Sequence, residues 1–147
     1  MGKGINDLFS ECLNKGKIKE FSDGPRLVQK ELTIAEKDLC VAKQSMKNSN
    51  WKWSTIQSYY SMFHTARALI FSRGYREKSH RCLRIAVDFL FVNKGVFSEK
   101  FIDAFQTAKI MRENADYEEN YSEKGARKLI TAAEEFLETA ADQLLQQ

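Results

Sequence analysis

An all-α fold, an antiparallel up-and-down bundle of five to six helices, is what this sequence predicts, and three observations predict it. Apolar residues recur at alternating steps of three and four through every long segment, with no strand-like alternation between them. One proline and seven glycines in 147 residues leave few breaks in regular structure. The breaks that do occur are short, which makes successive helices antiparallel neighbours.

In chain order, residues 4 to 14 read as a short helix with Ile5, Leu8, Phe9, Cys12 and Leu13 on one side, broken by Lys15 to Lys19. Ser22-Asp23-Gly24-Pro25 is a helix start, with proline at a position where its missing N–H costs nothing. The helix it opens runs to about Lys47 and packs by one face, Val28, Leu32, Ala35, Leu39, Ala42 and Met46. After the turn Asn48-Ser49-Asn50 comes the central segment, Trp51 to Gly74, apolar almost all the way round. Ile56, Tyr59, Phe63, Ala66 and Ile70 make its main stripe, widened by Trp53, Tyr60, Met62, Leu69 and Phe71. Ser54, Ser58, Ser61, Thr65, Ala68 and Ser72 form a seam of small residues against which a neighbouring helix can approach closely. Gly74 ends this helix. A fourth helix spans about His80 to Asn93, with Leu83, Val87, Leu90 and Phe91 inward. Ser98 caps a fifth, whose stripe is Phe97, Phe101, Ala104, Ala108, Met111 and Ala115 and which fades at Asp116 to Asn120. Ser122 opens the last, to about Leu145, with Ala126, Leu129, Ala133, Phe136, Ala140 and Leu144 inward. The organisation expected is a single domain over residues 1–147, with a core at 25–145 and an N-terminal extension at 1–24.

Composition narrows the function classes. A net charge of +3 permits an anionic partner without requiring one. Cys12, Cys40 and Cys82 form no CxxC pair and lie near neither histidine, so reduced thiols are expected, with no zinc site, no disulfide framework and no cofactor. No signal-peptide run and no membrane-length apolar stretch is present, which predicts a cytoplasmic protein. Glycine-rich phosphate loops, HExxH and nucleophile elbows are absent, and nothing is placed to activate Cys82.

Charge is placed unevenly. Arg73, Arg76, Lys78, Arg81 and Arg84 cluster after the central helix, and Glu113, Asp116, Glu118, Glu119 and Glu123 cluster near the end of the fifth. These are either solvated helix ends, paired with each other, or a phosphate-binding patch. His64 and Arg67 stand on the most buried helix, and Arg112 borders the stripe of the fifth with Asp116 one turn later. A buried guanidinium needs acidic partners, so a register-setting polar network is the plain reading of these residues. His80 could cap the fourth helix, contact a phosphate or act as a general acid or base.

The run Ser58 to Leu69, SYYSMFHTARAL, resembles the signature of small stand-alone prokaryotic HEPN-domain proteins. Gly74-Tyr75 with Lys78-Ser79-His80, and Arg112-Glu113-Asn114-Ala115-Asp116-Tyr117, resemble two further motifs of that group, in the same order, so that the likeness covers roughly residues 25 to 145. The resemblance implies an antiparallel bundle that forms a two-fold homodimer. It also implies either a nucleotide- or RNA-binding role, in some members beside a minimal nucleotidyltransferase in a toxin–antitoxin pair, or metal-independent ribonuclease activity. The ribonucleases use an arginine followed by a histidine, which here correspond to Arg112 and to Tyr117 in the histidine's place. Tyrosine can donate a hydrogen bond or stack on a base, but with a pKa near 10 it is a poor base. The group's usual glycine two residues after the histidine of the Lys-Ser-His segment is Cys82 here. Arg73 and His80 satisfy the loose arginine–histidine spacing but fall outside the motif's position. The expected ligand-binding groove therefore comprises His64, Arg67, Lys78, His80, Arg112, Asp116 and Tyr117, with Arg112, Tyr117 and His80 as the candidates for any catalysis. A third reading is a purely structural helical dimer.

Overall fold

The computed structural model describes residues 2–145 and contains six α-helices in the order α1 (Ile5–Asn14), α2 (Gly24–Lys47), α3 (Trp51–Ser72), α4 (His80–Val87), α5 (Lys100–Tyr117) and α6 (Glu123–Leu145). The bundle is built around α3, which packs on α2, α6, α5 and α4. The small-residue seam works as anticipated, because Ser54, Ser58, Ser61, Thr65 and Ala68 are fully buried. Two of its hydroxyls donate to backbone carbonyls of α2, Ser54 to Ala42 at 2.9 Å and Ser61 to Ala35 at 2.8 Å. A larger side chain at either position would push the two backbones apart.

Turn chemistry follows the sequence closely. Gly74 and Gly95 take left-handed φ values of 79° and 77° where α3 and the fourth helical segment stop. Asn50, Ser79 and Ser122 accept from the backbone N–H groups of Trp53, Cys82 and Gly125 at the starts of α3, α4 and α6. Gly24, in the first turn of α2, touches α3 directly, since a Cβ there would sit 2.5 Å from the Phe71 carbonyl oxygen.

Four expectations are corrected. Two strands exist, β1 (Ile18–Glu20) and β2 (Tyr75–Glu77), paired antiparallel with Ile18 opposite Glu77 and Glu20 opposite Tyr75. Each is three residues long, too short for period two to show. Cys12 and Cys82 are joined in a disulfide instead of being reduced thiols, and Cys40 is free and exposed. The bond spans a sequence separation of 70 residues and ties α1 to the first turn of α4, where β1–β2 pairing has already brought the two segments together. Trp53 and Tyr60 do not join the core but remain 47% and 39% exposed on an open edge of α3. The fourth helix ends its α-helical part at Val87 and continues as a single π-helical turn, Asp88–Val92. Phe89, from that turn, stacks at 4.4 Å on Phe9 of α1, which also meets Tyr75 edge-on.

The basic and acidic runs do not pair with each other among the described residues. Arg73 lies over Phe91 and Arg76 over Phe21, whereas Glu119 pairs with Lys52 at the start of α3. No helix among the described residues is long and apolar enough to cross a membrane.

Candidate functional site

The expected groove residues fall into two clusters on either side of the exposed edge of α3, with Lys78 apart from both. One cluster is an acid–base network between α2, α3 and β2. Glu31, only 6% exposed, receives His64 Nδ1 at 2.6 Å and Arg67 Nη1 at 3.5 Å, while Arg67 Nε donates to Glu77 at 3.2 Å. Asp38 lies 4.0 Å from His64 Nε2; burial raises its pKa and the nearby imidazole partly offsets this. The carboxylates supply the compensating charge that a shielded guanidinium needs. Beside the network opens a cavity of about 360 Å³, walled by Lys30, Arg76, Phe21, Leu27 and Phe71.

The second cluster joins α3, α4 and α5. Arg112 is held chiefly by rings, its guanidinium carbon lying 5.4, 5.8 and 6.0 Å from the ring centres of Tyr59, Tyr60 and Tyr117. Its nearest carboxylate, Asp116, is 3.9 Å away, and its Nε is buried without a hydrogen-bond partner. A buried unpaired donor of this kind costs about 1–3 kcal/mol, more when it is charged. Tyr117 is 70% exposed, and its ring flanks the guanidinium from the solvent side.

His80 sits at the first position of α4 against the Phe105 ring, 4.5 Å away. Its Nδ1 is 2.9 Å from the Tyr59 hydroxyl, and its Nε2 is buried with no partner. Burial pushes its pKa down to about 4, and the Lys109, Arg84 and Arg112 cations add to the effect, while the nearby Gln106 amide works the other way. The ring is therefore neutral at pH 7. Burial likewise pushes the Tyr59 hydroxyl up to about 12, so it stays a donor. The hydroxyl and the neutral imidazole can each donate to the other, and in either case Nε2 is left without a partner.

Lys78 belongs to neither cluster. It is exposed at the end of β2, where Lys19 first, then Lys17 and Arg76, hold its pKa down. Sequence reasoning missed Glu31, Glu77, Tyr59 and Tyr60 as site residues. Glu31 carried a signal, because it lies one turn before Ala35 on the border of the α2 stripe. Tyr59 and Tyr60 carried none, since aromatic residues on an apolar helix read as core.

The chain matches the HEPN domain over residues 28–144. It belongs to the HEPN-domain family. The matched span takes in the α2–α6 bundle and both clusters, and leaves α1 and β1 outside it. The chain is 29% identical over 112 residues to the protein named "Putative toxin MJ0605" of Methanocaldococcus jannaschii, covering 76% of this chain and 84% of that one. It is 34% identical over 73 residues to the UPF0332 protein PH1297 of Pyrococcus horikoshii, covering 50% of this chain and 51% of that one. Among the described residues of this HEPN chain, no group of three or more His, Cys, Asp and Glu is placed to hold a metal ion.

Proposed function

We propose that this HEPN protein is a phosphate-binding module of toxin type that holds RNA or a nucleotide at the α3–α5 edge. The observation that carries the reading is Arg112, a cation gripped by three tyrosine rings, with a buried unpartnered Nε and no carboxylate closer than 3.9 Å. Such a guanidinium is positioned and still has donors free, which suits a phosphate oxygen. Tyr60 and Tyr117, both open to solvent, offer faces on which a base can stack. The name of the methanococcal relative agrees with a toxin-type role.

Binding is favoured over ribonuclease chemistry by the state of His80. A ring whose pKa lies near 4 is a weak base at neutral pH, and its Nδ1 is already engaged by Tyr59. His64 is occupied by Glu31, and Tyr117 stands where the catalytic histidine of the ribonucleases would be. The exposed Trp53 and Tyr121 also favour pairing with a second copy, as the family likeness implies.

A gel-shift assay with an end-labelled single-stranded RNA, without metal and at low salt, reads both alternatives at once. The expected result is a shifted, intact RNA, with Tyr60→Ala weakening the shift about tenfold, as loss of one stacked base does. Cut RNA would favour the ribonuclease reading, and an unshifted, intact RNA would leave only a structural role.

A further inference from the structure

We propose that the junction of α4 and α5 carries a second phosphate subsite, formed by His80, Arg84 and Lys109 and continuous with Arg112. The inference deepens the phosphate-binding reading above and rests on it. Among the described residues, four buried side-chain polar atoms lack a hydrogen-bond partner, and three of them are nitrogens of His80, Arg84 and Arg112. The fourth, Ser58 Oγ, belongs to the α3 seam. Three of the four unpartnered polar atoms thus belong to neighbouring residues of α4 and α5.

The acids nearby do not fill the gap. Arg84 has no carboxylate within 4.0 Å among the described residues, Lys109 has only Glu113 at 3.8 Å, and Arg112 has only Asp116 at 3.9 Å. Asp88, one turn beyond Arg84, feels that cation without contacting it. His80 and Arg84 stand one helical turn apart on α4, about 6 Å along the axis, and Lys109 and Arg112 are similarly spaced on α5. Tyr59 holds the imidazole through Nδ1 and leaves Nε2 without a partner, beside the Lys109, Arg84 and Arg112 charges that act on the ring. Cations at this spacing, with donors unspent, fit more than one phosphate group. The ligand class is therefore a chain of phosphates, either the backbone of a single-stranded RNA or the polyphosphate of a free nucleotide.

Calorimetry at stepped salt concentrations tests this with three probes: pyrophosphate, ATP and a short oligouridylate. The proteins are wild type, Arg84→Gln/Lys109→Gln, the charge-retaining Arg84→Lys, and Arg112→Gln, each checked for an unchanged thermal transition. For the oligouridylate, the double variant is expected to bind at least tenfold more weakly. Its slope of log affinity against log salt should fall by about 0.7 for each lost contact, while Arg84→Lys keeps most of both. If the loss appears only with ATP and pyrophosphate, the subsite takes a free polyphosphate. A bound phosphate chain should also raise the titration of the His80 ring by NMR, against the opposing Arg84, Lys109 and Arg112 and with Tyr59 as its other ionisable neighbour. An unchanged affinity and slope for every probe in the double variant, with binding lost in Arg112→Gln, overturns the subsite and leaves the Arg112 reading standing. No binding of any probe by the wild type overturns both.

Discussion

Replacing Glu31 by alanine should destabilise the bundle more than any other single change on the polar side of α2. Its carboxylate holds His64 at 2.6 Å and Arg67 at 3.5 Å from a position only 6% exposed. Removing one partner of a buried ion pair ordinarily costs about 3–5 kcal/mol. Here Arg67 keeps Glu77 at 3.2 Å, so the uncompensated charge is smaller and the expected loss is roughly 2–3 kcal/mol. For a chain of this length that corresponds to a fall in Tm of roughly 6–10 °C. Glu31→Gln, which keeps an acceptor oxygen but not the charge, should lose about half as much. Urea unfolding followed by circular dichroism gives the free energies, and a double-mutant cycle with His64→Ala should show coupling of about 1 kcal/mol or more. A Glu31→Ala variant within roughly 0.5 kcal/mol of wild type would refute the reasoning, because the cluster would then not be what registers α2 on α3.

Other consequences follow from individual residues. His80 is neutral in the fold with a pKa near 4 and 6.5 when unfolded, so the unfolded chain takes up the proton first as pH falls. Stability is therefore intact above pH 6.5 and declines between 6.5 and 4, by about 1–2 kcal/mol after allowing for the ring's partial exposure. His80→Gln should flatten that part of the urea-unfolding pH profile. Gly24→Ala places a methyl group 2.5 Å from the Phe71 carbonyl and should cost about 1–3 kcal/mol in thermal unfolding. Without reductant, an alkylating reagent should label Cys40 alone even after unfolding in urea; with reductant and urea it should label all three cysteines, and the reduced protein should be less stable by about 2–4 kcal/mol.

The helical skeleton was legible because helix periodicity and turn chemistry are local properties. The Ser54–Thr65 seam, the cap at Ser122 and the stops at Gly74 and Gly95 all follow from residues within a few positions of one another. The features that were not legible depend on distant pairings. β1 and β2 exist because Ile18 meets Glu77, and the Cys12–Cys82 bond exists because that pairing carries α1 to α4. The site was half legible. Arg67 and Arg112 stood out as cations on largely apolar helices, but which carboxylates faced them was decided by packing. Glu31 proved to hold His64 and Arg67, while Arg112 was left to tyrosines. Trp53 and Tyr60 looked like core because composition does not reveal which edge of a central helix its neighbours leave open.

The most direct test of the account is the affinity of a short single-stranded RNA for wild type and for Arg112→Gln, measured by calorimetry at low salt. The guanidinium's unspent donors at the α3–α5 edge predict measurable binding that weakens as salt rises, and a loss of at least tenfold in the variant at an unchanged melting temperature. Equal affinities in the two proteins, or no binding by the wild type, would contradict it.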